Sequence, residues 1–181
     1  MTTAAVAQPA LAVGVMAGLL GVFVARPLLP GGTSPLLILF GGLFAVGAIW
    51  PVRREVRPSS QAIVIAAALG FLAFVVGRLL GGRLPFAPAR TDYIAKIVFA
   101  AMAEELFFRR FLYALLRPGG LALALGGSSV LFAVAHVTVY GWWVLPLDLA
   151  AGLVLGWQRW ASGSWTVPAA THVVANLLVV L

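Results

Sequence analysis

Long apolar runs separated by short segments rich in Pro, Gly and Arg dominate this sequence. Each run is close to the roughly 17–25 residues that a helix needs to cross the hydrocarbon core of a bilayer. The runs are residues 9–29, 35–51, 61–80, 93–116, 121–140, 142–161 and 165–181. With 62% hydrophobic and 9% charged residues, the chain is far more apolar than a soluble domain. We therefore predict an all-α fold, a polytopic transmembrane helical bundle of about seven spans.

Charge and cysteine content exclude several classes of protein. The net charge is +7, but the basic residues lie singly or in short clusters between the apolar runs, which is typical of membrane flanks and not of a nucleic-acid interface. The chain has no cysteine, so disulfides, thiolate metal sites and cysteine nucleophiles are excluded. The N-terminus lacks a basic segment before its first apolar run, which favours a retained first span over a cleaved signal peptide.

Small residues at four-residue spacing occur in three of the runs and can let helices approach closely. These pairs are Gly14/Gly18, Gly77/Gly81 and Gly152/Gly156. We read the whole chain, 1–181, as a single membrane domain, because the runs leave no room for an appended soluble domain. Within it, the N-terminal spans (1–89) are almost free of polar groups, whereas the later spans (90–181) contain most of them.

The polar residues inside the late runs are the strongest functional signal. Glu104, Glu105 and Arg109 lie in the fourth run, His136 in the fifth, and His172 with Asn176 in the seventh. A charge at the bilayer centre costs roughly 2.5–3.5 kcal/mol on insertion scales, and such residues therefore mark functional sites. The sixth run contains Asp148, whose position favours a cap or an interfacial pair over a catalytic role.

Helical spacing predicts which of these side chains share a face. Glu105 and Arg109 are four residues apart and can form an ion pair, whereas Glu104 points about 100° away towards another helix. Phe132 and His136 form a second pair at this spacing, and His172 and Asn176 a third. Because all three pairs lie at intermediate depth, we expect them to converge on one buried cavity.

Three short motifs in this order resemble those of a known family. The segments "EELFFR" (104–109), "FAVAH" (132–136) and "HVVAN" (172–176) match the patterns EExxxR, FxxxH and HxxxN. On this basis the chain resembles the CPBP family of intramembrane proteases, which includes the CAAX prenyl endopeptidases and bacterial abortive-infection and bacteriocin-processing homologues. The resemblance covers about residues 90–180.

The resemblance implies glutamic-type proteolysis within a helical bundle, without a metal or other cofactor. Glu104 and His136 would activate a water molecule, and His172 and Asn176 would stabilise the oxyanion of the tetrahedral intermediate. Glu105, Arg109 and Phe132 would support this arrangement. Oxyanion donors that are preorganised away from water are each worth about 2.7–4 kcal/mol, which is consistent with these roles.

Two other functions remain open at this point. Glu104, His136 and His172 could supply three ligands of a zinc protease, although the sequence has no H-E-x-x-H helix. Chains of carboxylates and histidines also serve as proton relays in transporters.

The expected partners are a membrane-anchored protein or peptide substrate and the lipid bilayer, with no nucleic acid. The small size favours a bacterial processing protease, multi-pass in the inner (cytoplasmic) membrane, which cuts a C-terminal sorting tail or a similar segment.

Overall fold

The computed structural model describes residues 4–28, 33–52, 58–80 and 91–180. Within these ranges all regular secondary structure is helical and no strand occurs. The α-helices are α1 (Ala4–Val24), α2 (Thr33–Ile49), α3 (Ser60–Leu80), α4 (Thr91–Glu105), α5 (Tyr113–Leu116), α6 (Ser128–Tyr140), α7 (Leu145–Ser162) and α8 (Thr166–Val180). Each of the seven apolar runs coincides with helix, the fourth with α4 and α5 together. The predicted all-α fold is confirmed.

Two stretches of wider, π-helical turns interrupt the late helices. The first, Leu106–Leu112, joins α4 directly to α5, and we call it the π segment. In it the Tyr113 N–H donates to the carbonyl of Phe108, five residues back. The second, Leu123–Gly127, leads into α6. Because a π turn places side chains out of register with an ordinary helix, periodicity alone does not predict these stretches.

The π segment lies at the centre of the bundle, among helices from both ends of the chain. Helix α2 packs against the π segment, α4 packs against α8, and α6 packs against α7. Helix α3 contacts both α7 and α8, while α1 contacts α6. The N-terminal helices therefore form part of the wall around the motif-bearing helices.

Aromatic side chains fill the core between these helices. Phe108 of the π segment meets Phe132 of α6 edge-on, with 5.4 Å between ring centroids. Phe23 of α1 meets Phe108 at 6.3 Å and Phe40 of α2 at 6.1 Å, also edge-on. Edge-to-face contacts at these distances are favourable, so the rings join α1, α2 and α6 to the π segment.

The expectation of about seven membrane spans is supported only in part. Among the described residues, two helices are both long and apolar enough to cross a membrane, Ser60–Leu80 and Leu123–Tyr140. Ala10–Val24, Pro35–Ile49 and Thr166–Leu178 are shorter apolar helices. The fourth run contains charged motif residues and is divided by the π segment. Two helices of this kind are consistent with a membrane protein, and the larger number of spans stays a prediction.

Only one of the three predicted pairs of small residues lies at a close helix contact. A Cβ atom at Gly152 would stand 3.1 Å from the Cβ of Ser129, and one at Gly156 would stand 3.3 Å from the Ser129 hydroxyl. At Gly14, Gly18 and Gly77, no described atom lies within 4 Å of the equivalent position, while Gly81 lies outside the described residues. The spacing identifies a helix face but not whether another helix covers it.

Candidate active site

Glu104 and Glu105 are the last two residues of α4, immediately before the π segment. Two arginines hold the π segment against its neighbours. Arg159 of α7 donates through Nε to the carbonyl of Arg109, at 2.8 Å. Arg110 donates to the carbonyl of Gly47 and, at 3.0 Å, to that of Trp50, both at the end of α2. The position of the two glutamates is therefore set by contacts with α2 and α7.

Glu105 and Arg109 form the predicted ion pair, which is fully buried. Arg109 Nε lies 3.4 Å from Glu105 Oε2, and both side chains have 0% exposure. Arg109 also donates to the carbonyls of Ser128, at 3.5 Å, and Gly152, at 3.3 Å. Its guanidinium lies 5.1 Å from the centre of the Phe132 ring. Arg109 thus connects the π segment to α6 and α7 as well as neutralising Glu105.

His172 is held by Glu105 and faces Glu104. Its Nδ1 atom lies 3.0 Å from Glu105 Oε1, which is hydrogen-bonding distance. Its Nε2 atom lies 3.9 Å from Glu104 Oε2. A carboxylate that accepts from Nδ1–H fixes the orientation of the imidazole ring and leaves Nε2 directed at the second glutamate.

His136 approaches Glu104 from helix α6. Its Nδ1 atom lies 2.8 Å from the backbone carbonyl of Phe132, one turn earlier in α6. Since a carbonyl can only accept, Nδ1 carries the proton and a neutral ring has its lone pair at Nε2. That Nε2 atom lies 3.8 Å from Glu104 Oε1.

The Glu104 carboxylate therefore lies between two imidazole Nε2 atoms, one facing each of its oxygens. Both separations exceed a direct hydrogen bond, so these groups can share a third molecule that bonds to the carboxylate and to an imidazole. The structure brings Glu104, Glu105, Arg109, His136 and His172 together in one cluster, and their catalytic roles stay a prediction. Both histidines and two of the five acidic residues of the chain lie in this cluster.

Aromatic rings border the cluster and limit its contact with water. The Phe132 ring lies 4.5 Å from the His136 ring and 5.8 Å from the His172 ring. Phe132 therefore packs beside His136 as predicted. Phe23 of α1 lies 5.5 Å from His136, and Tyr140 stacks parallel to His136 at 6.0 Å. The sequence analysis did not identify Phe23 or Tyr140, because neither belongs to one of the three motifs.

Asn176 lies one helical turn beyond His172 on α8 and is half-buried. Within the described part of the chain its side chain makes no hydrogen bond, so its amide donors remain available. Asn176 and His172 lie on the same face of α8, as the four-residue spacing predicts.

Asp148 lies close to this cluster. Its Oδ2 atom is 3.8 Å from His136 Nδ1, on the side of the ring away from Glu104. Because this proximity depends on how α6 and α7 pack, sequence spacing alone assigned Asp148 only a capping or interfacial role. Among the described residues, no group of three or more His, Asp or Glu side chains has the arrangement of a metal site.

A comparison with protein families matches the part of the chain that contains these residues to a known class of enzyme. The model of the Rce1-like type II CAAX prenyl endopeptidases matches residues 86–178, which contain all three motifs. The chain belongs to this family. Membership identifies it as a protease, and its apolar helices are consistent with a membrane protein. The resemblance inferred from the motifs is thereby confirmed. Comparisons with curated proteins and with solved structures found no match.

Proposed function

We propose that this chain is an intramembrane endopeptidase of the glutamic type, which cleaves a peptide bond in a membrane-associated protein or peptide. The observation that carries the proposal is the position of Glu104 between His136 Nε2, at 3.8 Å, and His172 Nε2, at 3.9 Å. A buried carboxylate beside two imidazoles can move a proton and stabilise charge, and peptide hydrolysis requires both.

In the first step Glu104 and His136 bind and activate a single water molecule. One O–H group of the water donates a hydrogen bond to Glu104 Oε1, and the other donates to the lone pair of His136 Nε2. As the water oxygen forms a bond to the substrate carbonyl carbon, the water proton that faces Glu104 passes to that carboxylate. The π electrons of the carbonyl move to its oxygen, which becomes the oxyanion of a tetrahedral intermediate.

His172 and Asn176 then donate to that oxyanion. His172 has both Nδ1–H, for Glu105, and Nε2–H, for the oxyanion, only when the ring is cationic. The Glu105 carboxylate at 3.0 Å favours this cationic form. Asn176 donates through its side-chain amide, which makes no other described hydrogen bond.

The intermediate collapses when an electron pair of the oxyanion re-forms the carbonyl and the C–N bond breaks. The departing nitrogen takes the proton that Glu104 had accepted, which returns Glu104 to its ionised form. The new carboxylic acid gives its remaining proton to His136 Nε2, which passes it on to the amine. The products are therefore a carboxylate and a protonated amine, and one water has been consumed. Side chains and water suffice for this sequence, so we propose that it needs no cofactor.

The proposed substrate is a membrane-anchored protein or peptide, such as one with a C-terminal sorting tail, in a bacterial inner membrane. The proposed enzyme is multi-pass, with its site enclosed by helices. A helical substrate has its carbonyls in its own hydrogen bonds, so the segment to be cut must be extended when it enters. The lipid bilayer surrounds the proposed enzyme, and no nucleic acid takes part in the reaction.

The test is cleavage of C-terminally anchored peptides by purified protein in liposomes, with and without a chelator. The variants are Glu104→Ala and His136→Ala. Glu55→Gln, which removes a carboxylate outside the three motifs, is the matched control. We expect wild type and control to cleave in both conditions. We expect both site variants to lose roughly 10²–10⁴-fold in rate, the usual contribution of general acid–base catalysis.

Two outcomes would contradict this proposal. Cleavage that is abolished by the chelator and restored by zinc would make Glu104, His136 and His172 metal ligands. Cleavage that persists in Glu104→Ala at the wild-type rate would place the reaction elsewhere in the chain.

A further inference from the structure

Asp148 has a carboxylate that points into the protein and has no role in the proposed reaction. It lies in the first turn of α7, after the three-residue turn Trp142–Val144 that follows α6. Its Oδ2 atom is buried, and the described residues provide it with no hydrogen-bond partner. A buried carboxylate oxygen without a partner carries a desolvation cost, so its position calls for a physical reason.

The His136 ring is a proton donor close to Asp148. Asp148 Oδ2 lies 3.8 Å from His136 Nδ1, which already donates to the Phe132 carbonyl at 2.8 Å. The Nδ1–H group therefore donates to a carbonyl of its own helix, and the Asp148 carboxylate of α7 lies just beyond hydrogen-bond distance of it. A small rotation of the ring brings the proton towards the carboxylate, and the backbone carbonyl continues to fix which nitrogen carries it.

The contact repeats the arrangement around the other histidine. At His172 a carboxylate, Glu105, faces Nδ1 while Nε2 faces Glu104. At His136 a carboxylate, Asp148, faces Nδ1 while Nε2 also faces Glu104. The two carboxylates come from different helices, α4 and α7. Glu104 is thus flanked by two carboxylate–imidazole pairs.

We propose that Asp148 is a positioning residue, which holds the His136 ring so that Nε2 faces the water bound to Glu104. This inference rests on the proposed function. A carboxylate at Nδ1 keeps the proton on that nitrogen, maintains the ring orientation and stabilises positive charge when Nε2 binds a proton. Asp148 acts through His136 and does not touch the substrate.

The charged groups around Asp148 are consistent with this role. His136 of α6 lies 3.8 Å from it, and Glu104 of α4 and His172 of α8 also interact with it electrostatically. Its side chain is 20% exposed, compared with 6% for Glu104 and 0% for Glu105. Asp148 is therefore the carboxylate of the cluster closest to the surface, where its charge is the least costly to maintain.

The first test uses histidine ring signals, because the chain contains only two histidines. Protein labelled with ¹⁵N in histidine gives two sets of ring resonances, which His172→Gln assigns. Asp148→Asn removes the charge at nearly constant volume, and Asp148→Glu retains it. Asp92→Asn is the control. We expect the His136 ring resonances to move in Asp148→Asn, to return towards wild type in Asp148→Glu, and to stay in place in the control.

The second test separates kcat from KM in the liposome cleavage assay. We expect Asp148→Asn to lower kcat by about 10–100-fold, the usual cost of losing a group that orients an imidazole. KM should be unchanged, and Asp148→Glu should recover part of kcat. A thermal unfolding curve of each variant shows whether the fold is retained.

These outcomes distinguish the inference from the proposed function. Unchanged His136 resonances in Asp148→Asn overturn the inference, whatever the kinetics. An effect on KM alone overturns it too. The two proposals can also fail separately. If Asp148→Asn displaces the His136 resonances but the wild-type protein cleaves no peptide, the contact is supported and the proposed function is overturned.

Discussion

The two sides of Glu104 are built differently. The inner side consists of Glu105, Arg109 and His172, in which both members of the ion pair have 0% exposure and Glu105 bonds to His172 at 3.0 Å. The outer side consists of Asp148 and His136, in which the carboxylate is 20% exposed and 3.8 Å from the ring. The inner side is a closed network tied to backbone carbonyls of two other helices, whereas the outer side is looser.

This difference separates the roles of the two histidines. A donor to an oxyanion is most effective when it is fixed before the reaction, because it then needs no reorganisation as charge develops. A group that exchanges protons with a bound water must be able to adjust. The rigid inner side suits His172 as the oxyanion donor, and the adjustable outer side suits His136 as the partner of the water.

The largest effect on stability is expected from removal of Arg109. Arg109→Met removes the arginine partner of the buried Glu105 carboxylate and leaves it with His172 alone, and breaking a buried pair costs about 3–5 kcal/mol. We expect a pronounced fall in the Tm of the purified protein. The double variant Arg109→Met with Glu105→Gln should recover much of this loss, because the buried carboxylate charge is removed together with its arginine partner. A double variant less stable than the single one would contradict the buried pair as the cause.

A smaller effect, confined to catalysis, is expected at Asn176. Asn176→Ala should reduce kcat by roughly 10²–10³-fold, the usual cost of one oxyanion donor. Tm should stay close to that of wild type, because the half-buried amide makes no described hydrogen bond. Asn176→Asp keeps the shape but presents an acceptor to the oxyanion, so we expect it to be at least as impaired. A fall in affinity with kcat unchanged would assign Asn176 to substrate binding.

The sequence predicts the inner side better than the outer side. The pairing of Glu105 with Arg109 follows from helical spacing, and the order of the motifs predicts that His136 and His172 meet Glu104. These relations are local or belong to the family pattern. The short EExxxR segment therefore predicts the Glu105–Arg109 ion pair, whereas the bond from His172 to Glu105 is seen only in the structure.

The contacts that the sequence does not predict depend on packing between helices. Asp148 reaches His136 only because of the register in which α7 lies on α6. Phe23 reaches His136 from α1, which has no motif and resembles any apolar helix. The sequence does not predict the π segment either, because "LFFRRFL" has the composition of an ordinary buried helix.

The most direct test of the account compares Glu104→Gln with Glu105→Gln, the same change in two neighbouring residues. Cleavage and Tm are measured on both. The account predicts that Glu104→Gln loses roughly 10²–10⁴-fold in cleavage rate without a fall in Tm, since Glu104 performs the chemistry. Glu105→Gln should lower Tm, since it leaves Arg109 unpaired. Wild-type cleavage by Glu104→Gln, or equal falls in Tm for both variants, would contradict the account.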